Sequence, residues 1–217
     1  MKNATELLLR QKMLSVAQTM VSQGLNKGTS GNLGCRLDDH FLVTPSGTPL
    51  DQMQPMDMVA LRFDGSKIST GKPSSEWHFH RDILKSRSEI GAVVHCHSPF
   101  ATTLSCLRLD IPPIHYMIAL AGGNSIRCAH YALFGTEALS ENALAALSNR
   151  KACLLANHGM IALGKDLDEA LAIATEVEFI CEQYWRALQV GCPVLLSEEE
   201  MQAVLISFKS YGRQPRA

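Results

Sequence analysis

Leu9, Met13, Val16, Ala17 and Met20 recur at three- and four-residue intervals, the period of one buried helical face, and Gly24 supplies the stop. After a turn-rich stretch at 26–32, the apolar runs Phe41–Thr44 and Met58–Phe63 are set apart by Pro45, Gly47, Pro49 and Pro55 and read as strands. Ser74, Ser75 and Glu76 open a helix to about Arg87, with hydroxyls at the cap and an acid in the first turn. Gly91–His97 reads as a strand, stopped by Ser98-Pro99, which form the N-cap and first position of a helix through about Leu107.

A loop carrying Pro112, Pro113, Gly122 and Gly123 leads to a short helix after Thr136. The runs Cys153–Ala156 and Met160–Leu163 then form a hairpin whose corner is Asn157-His158-Gly159. The longest helix starts at Asp166, with Glu169 in capping-box relation, and runs to about Val190. Its apolar stripe is Leu167, Ala170, Leu171, Ala174, Val177, Cys181 and Leu188. A second capping box, Ser197 with Glu200, opens a last helix ending near Lys209. Strands and helices alternate from end to end with no linker or repeat, so the expected fold over 1–217 is a single mixed α/β domain, a central β-sheet flanked by helices.

Composition narrows the function classes. With 46% hydrophobic and 19% charged residues the chain has the make-up of a globular protein able to bury a core. Twenty basic against 21 acidic residues leave a formal charge of −1, which gives no basic surplus for nucleic acid or anionic lipid. The seven cysteines include no C-x-x-C pair and are expected to be mostly buried thiols in a reducing cytoplasm. Leu7-Leu8-Leu9 is too short for a signal peptide, and no 18-residue apolar window predicts a membrane span.

The chemistry-bearing residues fall into two groups. His95 and His97 lie two apart at the end of a predicted strand, so both imidazoles leave the same face and can reach one metal ion. His158 at the hairpin corner offers a third, and three imidazoles with an open position match a catalytic zinc site. Glu76 could serve there as base or ligand, with His80 one helical turn on as a competitor and His78 nearby. His40, His115 and His130 have no partner at metal spacing and default to structural or surface roles. The second group is three small-residue loops, 28–32, 44–47 and 71–75, whose unobstructed backbone N–H groups and hydroxyls suit a phosphate dianion. Nucleotide motifs do not fit: five residues separate Gly65 from Gly71 where a P-loop needs four. No G-x-S-x-G elbow is present, and Lys151 is the only lysine at a strand edge where a Schiff base could form.

Longer ordered segments then carry a family likeness: G-L-N-x-G-T-x-G-N at 24–32, T-P-S-G at 44–47, K-P-S-S-E-W-x-F-H at 72–80, V-V-H-x-H at 93–97, I-P-x-I-H-Y-M-I-A at 111–119, A-G-G-N-S-I at 121–126, N-R-K-A at 149–152, H-G at 158–159 and F-K-x-Y-G at 208–212. With them the chain resembles the class II aldolase/adducin family over nearly its whole length. The resemblance implies a zinc-dependent lyase, one Zn²⁺ per subunit, that reversibly splits a ketose 1-phosphate into dihydroxyacetone phosphate and an aldehyde. The implied substrates are L-fuculose 1-phosphate or a 5-deoxy or 5-methylthio pentulose 1-phosphate. By the same resemblance His95, His97 and His158 are zinc ligands, and Glu76 is the acid/base that can also ligate zinc. Thr29, Asn32, Ser46, Gly47, Ser74 and Ser75 match the substrate-phosphate pocket. Tyr116, a second catalytic residue, and the substrate-binding Tyr211 match tyrosines supplied by a neighbouring subunit of a homotetramer.

Other branches of the family are pentulose-phosphate 4-epimerases, methylthioribulose-phosphate dehydratases and a non-catalytic adducin-like module. The epimerases usually carry Asp-Thr after Ser-Ser where this chain has Glu76-Trp77, and the module would be expected to have lost ligands. Three departures stand out. Gly34 replaces a common Ser and Cys96 fills the middle of H-x-H, both expected to leave the chemistry untouched. Arg127 and His130 stand where a family member has prolines, which bears on the aldehyde half.

Overall fold

Seven strands hydrogen-bond into one mixed sheet in the computed structural model, which describes residues 2–208. They are β1 (Asn32–Leu37), β2 (His40–Val43), β3 (Val59–Arg62), β4 (Ala92–Cys96), β5 (Arg127–Ala129), β6 (Ala152–Leu155) and β7 (Gly159–Gly164). The order across the sheet is β3-β2-β1-β4-β7-β6-β5, every neighbouring pair antiparallel except β5 with β6. Six helices accompany it: α1 (Lys2–Ser22), α2 (Trp77–Ser86), α3 (Pro99–Ser105), α4 (Glu137–Ala146), α5 (Leu167–Val190) and α6 (Glu198–Phe208).

Helices cover both faces, which explains why the central strands read as continuous apolar runs rather than as alternating ones. Leu33, Val94, Met160 and Ala162 point into a core shared with α1, α3, α5 and α6. Phe41, Val93, Ile161 and Leu163 point the other way, into a second core closed by Phe79, Ile83 and Leu84 of α2 and Leu139 and Ala143 of α4. His95 follows Val93 at a spacing of two, so its imidazole leaves on the α2 side, where the Phe79 ring meets it edge-on at 5.4 Å.

Local signals set most boundaries. Thr136 caps α4 by accepting from the Leu139 N–H, Asp166 caps α5 by accepting from Glu169, and Ser197 and Glu200 form a complete capping box. Gly24 ends α1 with φ of 74°. Tertiary context overrode other expectations. Helix α2 starts at Trp77 with Glu76 itself at the N-cap, so the hydroxyls of Ser74 and Ser75 do not cap it and Glu76 sits just before the first turn. Ser98 precedes α3 but donates its hydroxyl to Glu178 of α5, and that carboxylate, in place of a local cap, accepts from the Phe100 and Ala101 N–H groups. On α5, Ile173 and Ile180 are buried while Leu188 is 40% exposed, because the last turns run past the sheet.

Strand β1, inside the sheet between β2 and β4, carries Gly34 and Arg36 and gives too weak a strand pattern to be read from sequence. Strand β5 has three residues on the sheet edge, and the 3-10 turn Tyr116–Ala121 lies where a loop is expected. Four of the seven cysteines are buried, and all are free thiols. No helix among the described residues is long and apolar enough to cross a membrane.

Candidate metal and catalytic site

The strand ends of β1, β4 and β7 meet at one point, and the expected ligands converge there. His95, on β4, has its Nδ1 2.9 Å from the Met160 carbonyl of β7; a carbonyl only accepts, so Nδ1 carries the proton and Nε2 is left with its lone pair. His97 follows the end of β4, its backbone N–H donated to the Asn26 side chain at 2.8 Å. His158 occupies the turn between β6 and β7. The three ring centroids are each 4.8 Å apart, with interplanar angles between 73° and 83°. The facing nitrogens of His95 and His97 are 2.9 Å apart, and all three candidate ligand atoms lie within 4.8 Å of one another.

Glu76 closes this triangle from the start of α2. Its Oε2 is 3.3 Å from His95 Nε2 and its Oε1 is 3.2 Å from His158 Nε2. Burial alone would raise the Glu76 carboxyl, but His95, His158 and the Asn32 amide outweigh burial and hold it well below the usual carboxylate range. Burial first, and the neighbouring His95 second, push His97 down to about 3 and His158 to about 4. Imidazole nitrogens converging beside an ionised carboxylate suit a divalent cation, and among the described residues Glu76 Oε1 is buried with no hydrogen-bond partner of its own. The residues present fit a metal ion.

The three loops expected around a phosphate come together beside this triangle. Loops 44–47 and 71–75 are tied by the Ser46 N–H to the Lys72 carbonyl, the Ser74 N–H to the Thr44 carbonyl, and a bridge between Pro45 and Pro73. Thr44 also accepts from the Leu33 N–H, which anchors the pair to β1. Gly31 turns the first loop with φ of 74°, and a Cβ there would lie 2.2 Å from the Asn26 amide that holds His97. Thr29, Asn32, Ser46, Gly47, Ser74, Ser75, Glu76, His97 and His158 all line one cavity of about 300 Å³. None of the described residues lining it is Lys or Arg, so an anion there meets backbone N–H groups and hydroxyls.

Other residues land elsewhere. Tyr116 is 45% exposed on its 3-10 turn near Phe208 and does not line the cavity; Tyr211 lies outside the described residues. Arg127 donates to the Ala146 and Ser148 carbonyls, and with His130 it borders a neighbouring cavity rather than that of the histidines. His115 caps its own turn and His40 contacts Asp39. His80 is fully buried behind Asn32 and is not among the converging imidazoles. Gly34 packs against that ring: a Cβ on it would lie 2.4 Å from His80 Nδ1.

Sequence reading did not foresee the far wall, Tyr131, Ala132 and Phe134, nor Asn157 beside His158. The signal available was an apolar cluster in an otherwise polar loop, which Gly135 presses onto Ser75: a Cβ at that glycine would lie 2.8 Å from the Ser75 carbonyl oxygen.

A mixed sheet that delivers three imidazoles and a carboxylate to one polar cavity has the make-up of a metal-dependent enzyme. Residues 11–185 match the model of the class II aldolase and adducin N-terminal domain family. The chain is 51% identical over 208 residues to a 5-methylthioribulose-1-phosphate/5-deoxyribulose-1-phosphate aldolase of Rhodospirillum rubrum, covering 96% of this chain and 94% of the relative. It is 45% identical over 205 residues to an L-fuculose phosphate aldolase of Escherichia coli, covering 94% and 95%. A solved structure of an L-fuculose 1-phosphate aldolase superposes with a TM-score of 0.90 at 38% identity, covering 93% of this chain and 96% of that one. The chain belongs to the class II aldolase and adducin family, and among its branches it is an aldolase, a lyase.

Proposed function

We propose that the chain reversibly cleaves a ketose 1-phosphate to dihydroxyacetone phosphate and an aldehyde, using one Zn²⁺ per subunit held by His95, His97 and His158. The observation that carries this reading is Glu76 set 3.2–3.3 Å from two of the three imidazoles, inside the cavity that the phosphate loops line. Zinc, when bound, supplies a Lewis acid that draws electron density from the bond being broken.

The chain's own residues do the rest. Thr29, Asn32, Ser46, Gly47, Ser74 and Ser75 hold the phosphate end that every substrate of this type shares, so binding energy far from the reacting carbons fixes their position. Glu76, held ionised, takes the proton from C3 of the dihydroxyacetone phosphate half in the direction of synthesis and returns it there in cleavage. Tyr116 and Tyr211 act from a neighbouring subunit of a homotetramer, Tyr116 carrying the proton of the C4 hydroxyl. The exposure of Tyr116 away from its own chain's cavity supports that arrangement. The free thiols support a reducing cytoplasm.

Tyr131, Ala132 and Phe134 offer the aldehyde half an apolar wall, and the relative at 51% identity is named for 5-methylthio and 5-deoxy substrates. We therefore place 5-deoxy and 5-methylthio pentulose 1-phosphates ahead of L-fuculose 1-phosphate. Comparing kcat/KM for cleavage of these three compounds tests the order. Highest efficiency with L-fuculose 1-phosphate reverses it, and no release of dihydroxyacetone phosphate from any of them refutes the reaction.

A further inference from the structure

Behind Glu76 stands a chain of side-chain hydrogen bonds that gives Asn32 a second part to play and ends on a residue, His80, that the reaction as described does not use. Asn32 Nδ2 donates to Glu76 Oε2 at 2.9 Å, and at its other end Asn32 Oδ1 lies 2.5 Å from Nε2 of the fully buried His80. The donor and acceptor chemistry allows only one polarity. An ionised carboxylate can only accept, so Asn32 must turn its NH₂ to Glu76 and its carbonyl to His80. That carbonyl needs a donor, so His80 must carry its proton on Nε2, which leaves Nδ1 bare. Nδ1, which faces Gly34, has no hydrogen-bond partner among the described residues, so a proton placed there would find no acceptor. Burial pushes His80 down to about 3, so the ring is neutral across the ordinary pH range and a single proton sets the direction.

We propose that His80 is a positioning residue that acts through Asn32 to occupy Glu76 Oε2, leaving Oε1 as the oxygen that handles the substrate proton. This rests on the reading of Glu76 as the proton carrier. Among the described residues Oε1 has no hydrogen-bond partner, whereas Oε2 has Asn32. With His80 in the other tautomer, an Asn32 amide rotated to meet it would turn its carbonyl toward the carboxylate, and repulsion would drive Glu76 out of place. Gly34 is part of the arrangement, because only a residue without a side chain lets the His80 ring lie against β1.

The test compares His80→Leu with His80→Gln in zinc-loaded enzyme, with metal content and melting temperature measured on both. Leucine removes the donor; glutamine places an amide N–H near the position of Nε2. For His80→Leu the expected result is kcat lower by about ten- to a hundredfold with KM nearly unchanged, and for His80→Gln recovery of most of that loss. Equal losses in the two variants, or a loss confined to KM, would overturn the proposal. Should the leucine variant fail to fold, ring ¹⁵N shifts of His80 in the wild-type protein, metal-free and zinc-loaded, still decide: a proton on Nε2 is required, and one on Nδ1 refutes the relay. Glu76→Gln keeps the two readings apart. If it is inactive while His80→Leu is fully active, the relay fails and the role of Glu76 stands; if it is active, the role of Glu76 itself fails.

Discussion

The two walls of the active cavity are built to different standards. On one side Asn32, Ser74 and Glu76 are buried, and loops 44–47 and 71–75 are cross-linked through backbone hydrogen bonds and anchored to β1. On the other, Tyr131 and Phe134 are more than half exposed, on a loop that meets the first wall at the Ser75 carbonyl. In the proposed reaction the polar wall would face what all ketose 1-phosphates share, and the apolar wall what distinguishes them. Preorganisation is concentrated where the bond is broken, since misplacement of a proton carrier costs rate for every substrate, while the loosely packed wall can change with little effect on the fold.

Removing the metal should break the first wall's chemistry outright. Chelation is expected to abolish turnover and stoichiometric zinc to restore it, with metal analysis giving about one ion per chain; full activity in metal-free protein would refute a role for the three imidazoles. Next in size is Glu76→Gln, which should lower kcat by about 10²–10⁴ while phosphate-end binding, read by inhibition with a substrate analogue, stays within a few fold.

A pair of variants sharpens the contrast between the walls. Ser75→Ala should raise KM by a similar factor, roughly three- to tenfold, for every ketose phosphate, because it touches the common half. Phe134→Ala should instead change the kcat/KM ratio between 5-methylthio and 5-deoxy substrates by about as much, since the wall recognises only the tail. A uniform loss from Phe134→Ala or a tail-dependent loss from Ser75→Ala would erase the distinction.

The last expected effect is read on the fold rather than on turnover: it concerns acid stability and belongs to the buried wall. His80 titrates near 3 when folded and near 6.5 in an unfolded chain, so between those values the unfolded state binds a proton that the folded state does not. Stability should therefore be complete above about pH 6.5 and fall on acidification by up to about 1.4 kcal/mol per pH unit for this group, levelling off below its folded value. His97 and His158 contribute with the same sign in metal-free protein. Urea midpoints of metal-free wild type and His80→Gln across pH 7 to 4 should diverge, the variant falling less steeply. Phe134→Ala should track wild type.

Much of this was legible in the chain. The period of α1, the capping pairs of α4, α5 and α6, and the His95-x-His97 spacing on a strand are local facts, carried by backbone geometry and by side chains within a few residues of one another. The nine-residue segment around Glu76 was long and ordered enough to place it in a known family pattern, whereas His158 was carried only by the dipeptide His158-Gly159 within the resemblance of the whole chain. Strand β1 was not legible, because Gly34 and Arg36 break its apolar pattern and its pairing comes from strands on both sides. The apolar wall was equally hidden, since nothing near Tyr131 in sequence says that it will face Ser75.

By itself, then, the sequence determined the element types, the ligand pair on β4 and the loop chemistry suited to a phosphate, all of which depend on neighbours close along the chain. Only the tertiary structure decided that His80, left open as a competitor, turns away from the triangle that His158 completes, although both are histidines near Glu76. His158 sits in a turn at the strand ends, where β7 pairs with β4 and carries it to the two other imidazoles. His80 sits inside α2, one turn past Glu76, and packing against Gly34 aims its ring at Asn32 instead. The choice between ligand and support is made by which strand lies next to which, and pairing across the sheet depends on contacts between residues far apart in the chain.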